Sequence, residues 1–149
     1  MIKLPYHKQE FSYSCFDACL RMVLEFYGVK KSEKELRLLC KTTPTYGTIW
    51  SIVKERIRQI GFEFVWNRYT SFDELKKLIQ DNIPVIASID TFYFGDVESK
   101  GHVVVVVDVL EDFVVVDDPE KGERIKVKKE TFLSAWKSRK CLAGYVRKE

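Results

Sequence analysis

Histidine is scarce in this chain, with two in 149 residues, and the only other soft metal ligands are four cysteines. His7, Cys15, Cys19, Cys40, His102 and Cys141 fall at no recognised zinc spacing, so no metal and no cofactor is expected. Long apolar runs are also lacking. The longest, Val103 to Val107, is short and β-branched, which reads as a buried strand and offers no membrane span. The stretch from Met1 to Glu10 has no apolar segment of the kind a signal peptide needs, so a cytoplasmic protein is expected. Its four cysteines then read as reduced thiols and not as a disulfide framework. A one-sided charge is missing too: 25 basic residues face 22 acidic ones, for a net charge of +3. The basic residues cluster only from Lys126 to Lys129 and from Lys137 to Lys140, too weakly for a nucleic-acid partner.

Linkers, internal repeats and low-complexity segments are absent as well. At 149 residues and 46% hydrophobic content, the chain reads as one domain, residues 1–149, large enough to bury a core. It is organised around the stretch from Gln9 to Gly28, QEFSYSCFDACLRMVLEFYG. Ala18, Met22 and Phe26 recur at the helical period, with Cys19, Leu20, Val23 and Leu24 beside them, and Gly28 stands where a helix usually stops. Cys15 therefore falls at the start of a buried helix. Unpaired N–H groups and the helix dipole favour a thiolate there.

Ser32 and Glu35 form a capping-box pair opening a second helix, Glu33 to Cys40. TTPTYGT, Thr42 to Thr48, is loop, and a third helix is expected from Thr48 to Ile60, closed by Gly61. Phe62, Phe64 and Trp66 alternate as in a half-buried strand, and Ser71 with Glu74 caps a helix ending near Gln80. Val85–Ile89 is expected as a central strand, Thr91 to Gly101 as loop, and His102–Val109 and Phe113–Val116 as an antiparallel pair. Glu123–Val127 reads as a strand, Thr131–Trp136 as a short helix, and Leu142–Val146 as a last strand. Helices precede strands, so the fold class is α+β, a helical half packed against a mostly antiparallel sheet.

Within that frame, His102 sits at the mouth of a core strand, and Asp118, pinned by Pro119, ends the next one. A separation of 16 positions (118 − 102) suits a hairpin whose open ends lie side by side, bringing the two within reach. Asp117 is the rival acid, but neighbouring side chains on a strand face opposite ways, so only one of the two can meet His102. A cysteine at a helix start, an imidazole to take its proton and a carboxylate to orient the imidazole make up an acyl-transfer set. Gln9 could donate its amide N–H to the oxyanion, together with the Cys15 backbone N–H.

These residues carry a resemblance. Gln9, Cys15, Ala18-Cys19-Leu20 and Tyr27-Gly28, followed by Gly101-His102-Val103 and Asp118-Pro119, resemble the C39 family of papain-like cysteine peptidases. The resemblance covers the chain from Pro5 to Tyr145 and implies a papain-like fold. It implies a thiol endopeptidase with Cys15 as nucleophile, His102 as base, Asp118 as orienting acid and Gln9 as oxyanion donor. It further implies a peptide or precursor-peptide substrate cut after a Gly-Gly leader, and an ABC exporter, here encoded separately, as a partner. Ser14 and Phe16 depart from the family's usual Asp and Gly, and Phe16 is expected to narrow the site beside the cysteine.

Other readings stand beside this one. Cys19, Cys40 and Cys141 are expected in the core. Trp66, Tyr69, Tyr93 and Phe94 are candidates to line a groove, although core or rim is the commoner place for such residues. The competing functions are a non-hydrolytic peptide-binding module of the same fold, and a thiol acyl or amide transferase in which an amine replaces water.

Overall fold

Val103–Val107 is buried along its whole length, and so is every residue of Val85–Asp90. Strands that alternate inward and outward do not look like this; a sheet covered on both faces does. The computed structural model describes residues 1–149 and shows a six-stranded antiparallel sheet with helices packed against it.

In chain order the elements are α1 (Cys15–Phe26), α2 (Glu33–Leu39), α3 (Trp50–Arg56), β1 (Phe62–Asn67), α4 (Phe72–Gln80) and β2 (Val85–Asp90). They continue as β3 (Gly101–Val109), β4 (Phe113–Asp118), β5 (Gly122–Lys128), α5 (Lys129–Lys137) and β6 (Ala143–Lys148). The sheet order is β1-β6-β2-β3-β4-β5, which makes β2 and β3 the central pair. The α1 helix packs on β3, α4 on β2 and β3, and α5 on β2. The α+β class expected from the sequence is the fold observed.

Local chemistry accounts for most of the boundaries. The Ser32 hydroxyl accepts from the Glu35 N–H while the Glu35 carboxylate accepts from the Ser32 N–H, a complete capping box. The Ser71 hydroxyl accepts from the Glu74 N–H and starts α4. Gly61, at φ +85°, takes the left-handed conformation that ends the third helical segment.

Three details differ from the sequence reading. The third helix starts at Trp50 and tightens to a 3-10 turn over Ile57–Ile60, because Thr48 is held by the Asp17 carboxylate and Ile49 is extended. The segment expected as loop after β2 opens with a 3-10 turn, Thr91–Phe94, whose Phe92 N–H is capped by the Asp90 carboxylate. Cys19 and Cys40 are fully buried, but Cys141 is only half-buried at the core's edge. It follows a turn in which both Lys140 and Cys141 have positive φ.

Candidate active site

Cys15 is the first residue of α1, partly exposed, while Phe16 to Leu20 behind it are buried. The N-cap, Ser14, is buried, yet its hydroxyl caps nothing in the helix. It accepts from the Phe11 N–H and donates to the Phe11 carbonyl, at 3.0 Å each. The first-turn N–H groups of α1 thus keep their positive end beside the Cys15 thiol.

His102 enters from β3 and Asp118 from the end of β4. Both are buried, and the His102 Nε2 lies 2.8 Å from the Asp118 Oδ1. A bulge sets this contact. The β3–β4 register runs Val109↔Val114 and Asp108↔Val115, then shifts by one residue to Val106↔Val116 and Val105↔Asp117. Continued past Asp117, the shifted register sets Asp118 opposite Val104, on the face of the strand that also carries His102. Without the extra residue, Asp118 would oppose Val105 and point the other way. The bulged residue, Val107, has its carbonyl bonded by the Ile2 N–H at 3.0 Å.

The amino-terminal arm continues from β3 to the end of β4. The Tyr6 hydroxyl donates to the Asp118 carbonyl at 2.6 Å, and the Gln9 N–H to the Pro119 carbonyl at 2.8 Å. Asp118 Oδ1 also accepts from the Glu120 and Lys121 N–H groups. Asp117 faces away and accepts from the Arg124 N–H at 2.7 Å.

The electrostatics follow from this geometry. Burial works against a charged His102, but the Asp118 hydrogen bond first, and the nearby Cys15 sulfur after it, prevail and raise it to about 9. Burial likewise opposes ionised Asp118. Its bond to His102 and the two turn N–H groups overcome that and hold its carboxyl below the usual range. Burial first, then Asp118 and Asp117, push the Tyr6 phenol up to about 12, so it remains a donor at any ordinary pH. Asp118 occupies Nε2, which leaves Nδ1 as the ring nitrogen free to serve a thiol. The arrangement can carry an imidazolium beside a sulfur nucleophile at neutral pH.

Cys15 and His102 line one groove of about 400 Å³, together with Tyr13, Tyr46, Trp50, Ser88, Lys100 and Arg139. Trp66, Tyr69, Tyr93 and Phe94 are not part of its wall. Tyr69 is exposed, and Trp66 packs edge-on against Trp50. Phe16 reaches the groove only from beneath. It is 2% exposed and packs edge-on against Trp50 and Phe64, so its bulk goes mainly into the core instead of narrowing the site. Gln9 is not brought into the groove wall. Its amide donates to the Phe11 carbonyl at 2.9 Å, and its Oε1 is buried without a protein partner.

Sequence reasoning missed Tyr6 and the bulge, because a run of valines carries no mark of which residue is extra. It also missed the TTPTYGT loop as a groove wall, although its Pro, Tyr and Gly marked a shaped surface loop. Asp17 was missed as well. It is fully buried two residues after Cys15, and it accepts from the Thr42 hydroxyl at 3.0 Å and the Thr48 hydroxyl at 3.3 Å, which ties that loop to α1.

Comparison with solved structures gives the same fold. A C39-like protein from Bacillus anthracis superimposes with a TM-score of 0.83 at 18% identity, covering 100% of this chain and 96% of its own. The peptidase domain of Streptococcus ComA, a bifunctional ABC transporter of a quorum-sensing pathway, gives 0.75 at 24%, covering 100% of both chains. A double glycine motif protease from an AMS/PCAT transporter, solved with its leader peptide, gives 0.74 at 23%, covering 99% of this chain and 94% of its own. The fold is thus the papain-like one of C39 peptidase domains. No curated protein sequence matches the chain. A family model does match, over residues 1–144, and the chain belongs to the Peptidase_C39 like family.

Proposed function

We propose that this protein is a cysteine endopeptidase acting on a peptide or precursor peptide. The observation that carries the reading is the convergence of Cys15 with the buried His102–Asp118 pair, 2.8 Å apart, on one open groove. In the reaction Cys15 Sγ adds to the scissile carbonyl, and the C–N bond breaks as the His102 imidazolium gives its proton to the departing amine. Water then attacks the thioester with His102 as base, which releases the acid and restores the thiol. Asp118 holds the ring so that Nδ1 serves both steps.

Gln9 joins as oxyanion donor by releasing the Phe11 carbonyl. The swing exchanges its 2.9 Å bond to that carbonyl for one to the developing oxyanion. The solved domains named above support a peptide ligand, one of them being held with a leader peptide. Action in the cytoplasm as one domain, with a separately encoded ABC exporter presenting the substrate, belongs to the same proposal. No helix is long and apolar enough to cross a membrane.

The test is the rate of Cys15 alkylation by iodoacetamide across pH, followed by mass spectrometry, beside peptide turnover by Cys15→Ala. Near neutral pH, Cys15 should react at least tenfold faster than buried Cys19 and Cys40, and slow when His102 is Ala. Turnover should vanish in Cys15→Ala with folding intact. An inert Cys15 in a protein that still binds peptide would point to the binding module instead.

A further inference from the structure

Two cations stand unpaired at one end of the groove. Lys100 and Arg139 both line it, both are exposed, and neither forms an ion pair within the protein. They are nonetheless fixed at their backbones. Ser99 and Ser138, the residues just before them, each donate a hydroxyl hydrogen bond of 2.8 Å to the same oxygen, Oδ2 of buried Asp90. The Asp90 Oδ1 accepts from the Phe92 N–H. The one carboxylate at the base of this corner is therefore spent on two hydroxyls and an amide, while the cations beside them are left for something else. The Lys100 carbonyl accepts from the Thr91 N–H at 2.9 Å, and the Arg139 N–H donates to the Trp136 carbonyl at 2.9 Å, which holds both turns in place.

Gly101 supplies the second observation. A β-carbon there would lie 2.8 Å from Arg139 Nη2 and 3.2 Å from Cζ, so the guanidinium rests directly on the glycine that precedes His102. That brings a planar, five-donor cation to the edge of the site, a group suited to gripping a carboxylate in two places. His102 must reach the nitrogen of the departing amine, so groups bordering His102 border the fragment that leaves.

We infer that Lys100 and Arg139 recognise a carboxylate on the leaving side of the peptide substrate. This rests on the peptidase reading. The carboxylate is either an Asp or Glu side chain just past the scissile bond or the free carboxyl terminus of a short leaving fragment; Arg139 and Lys100 meet the same chemistry in both.

The experiment uses internally quenched peptides, randomised on the acyl side, in two matched pairs. One pair has Glu or Gln on the leaving side, and the other has a terminal carboxylate or its amide. Wild type should prefer the acidic member of one pair about tenfold in kcat/KM, mainly through KM, and the pair that discriminates identifies the source. The preference should fade as salt is raised. In the Lys100→Gln, Arg139→Gln double variant the ratio of acidic to neutral kcat/KM should fall below twofold, whatever the absolute rates. Arg139→Glu should reverse it toward Lys on the leaving side. Equal rates for both members of both pairs in wild type, or an undiminished preference in the double variant, overturns the inference. The same peptides are titrated onto Cys15→Ala by fluorescence anisotropy, which separates the two readings. Tenfold tighter binding of the acidic form, with no wild-type turnover, sinks the peptidase and keeps the carboxylate site. Turnover of every peptide without preference does the opposite.

Discussion

The two halves of the proposed site are positioned by different kinds of structure. Cys15 is set mainly by its own helix: α1 begins at it, the Ser14 hydroxyl turns back three residues, and the side-chain hydrogen bonds from outside to its first turn come from Thr42 and Thr48, 31 positions away at most. His102 and Asp118 are set by a register shift in a hairpin, and that shift is bonded by a residue more than a hundred positions away, Ile2 to Val107. Short-range positioning survives local change elsewhere in the chain. Long-range positioning fails whenever the arm, the bulge or the turn after Asp118 is disturbed. Substitutions on the histidine side should therefore alter the orientation of the base, and those around Cys15, the nucleophile itself apart, should alter stability before chemistry.

The largest effect that tests this contrast comes from Asp118. Asp118→Ala removes the group that holds Nε2 and should lower kcat/KM by about 10²- to 10³-fold. Asp118→Asn, whose amide oxygen can still accept, should lose much less. Asp117→Asn, on the opposite face and bonded to the Arg124 N–H, should stay within about twofold. The pH profile adds an independent reading. A raised His102 stabilises the folded state while it is protonated. That contribution is full below the ordinary histidine value of 6.5 and is lost as pH rises through about 9. Activity that needs the imidazolium should fall over the same alkaline range. In Asp118→Ala that limb should move to lower pH, because the Asp118 bond is the largest effect raising His102. A large loss in Asp117→Asn would mean the bulge does not select the acid as described.

Tyr6→Phe should have an intermediate effect. It deletes one 2.6 Å hydrogen bond to the Asp118 carbonyl and keeps the ring. The expected outcome is a loss of about 1 kcal/mol in stability and about fivefold in kcat with KM unchanged, measured by urea unfolding and steady-state kinetics. If kcat holds while stability drops, the arm supports the fold without aiming the acid.

How legible each half was in the sequence follows the same division. The α1 boundaries, the Ser32–Glu35 box and the pairing of β3 with β4 could be read because period, cap and spacing are local properties. Alternation along a strand allowed only one of Asp117 and Asp118 to meet His102, and the spacing and the resemblance favoured Asp118; the contact is made by Asp118, but the bulge that makes it so left no trace among five valines. Gln9 looked like a donor to the site, and at rest its amide is bonded to Phe11. Trp66, Tyr69, Tyr93 and Phe94 were candidates for a groove with core or rim as their commoner place, and they lie outside the groove; its aromatics are Tyr13, Tyr46 and Trp50, since only the third dimension says which loops fold over a cysteine. Asp17 drew no notice in the sequence and is buried.

That last residue gives the smallest effect on turnover and tests the cysteine side. Burial, with Glu33 adding to it and the Thr42 and Thr48 hydrogen bonds opposing it, pushes the Asp17 carboxyl up from 3.8 to about 7. An acid raised on folding binds its proton more tightly in the native state. Its contribution to stability is therefore full below about 4 and is lost as pH climbs through about 7. Asp17→Asn keeps an acceptor for one threonine and cannot ionise. It should match wild type within about 1 kcal/mol at pH 5 and exceed it by on the order of 2–4 kcal/mol at pH 8, in urea unfolding at each pH. Turnover near neutrality should change less than about twofold, because the groove wall stays tied to α1 through Thr42. The result also bears on the thiol. With Asp17 protonated in part near pH 7, the first turn of α1 carries less negative charge beside Cys15. Wild-type stability that stays flat from pH 5 to pH 8 would show Asp17 ionised throughout, held so by the Thr42 and Thr48 hydroxyls against the cost of burial.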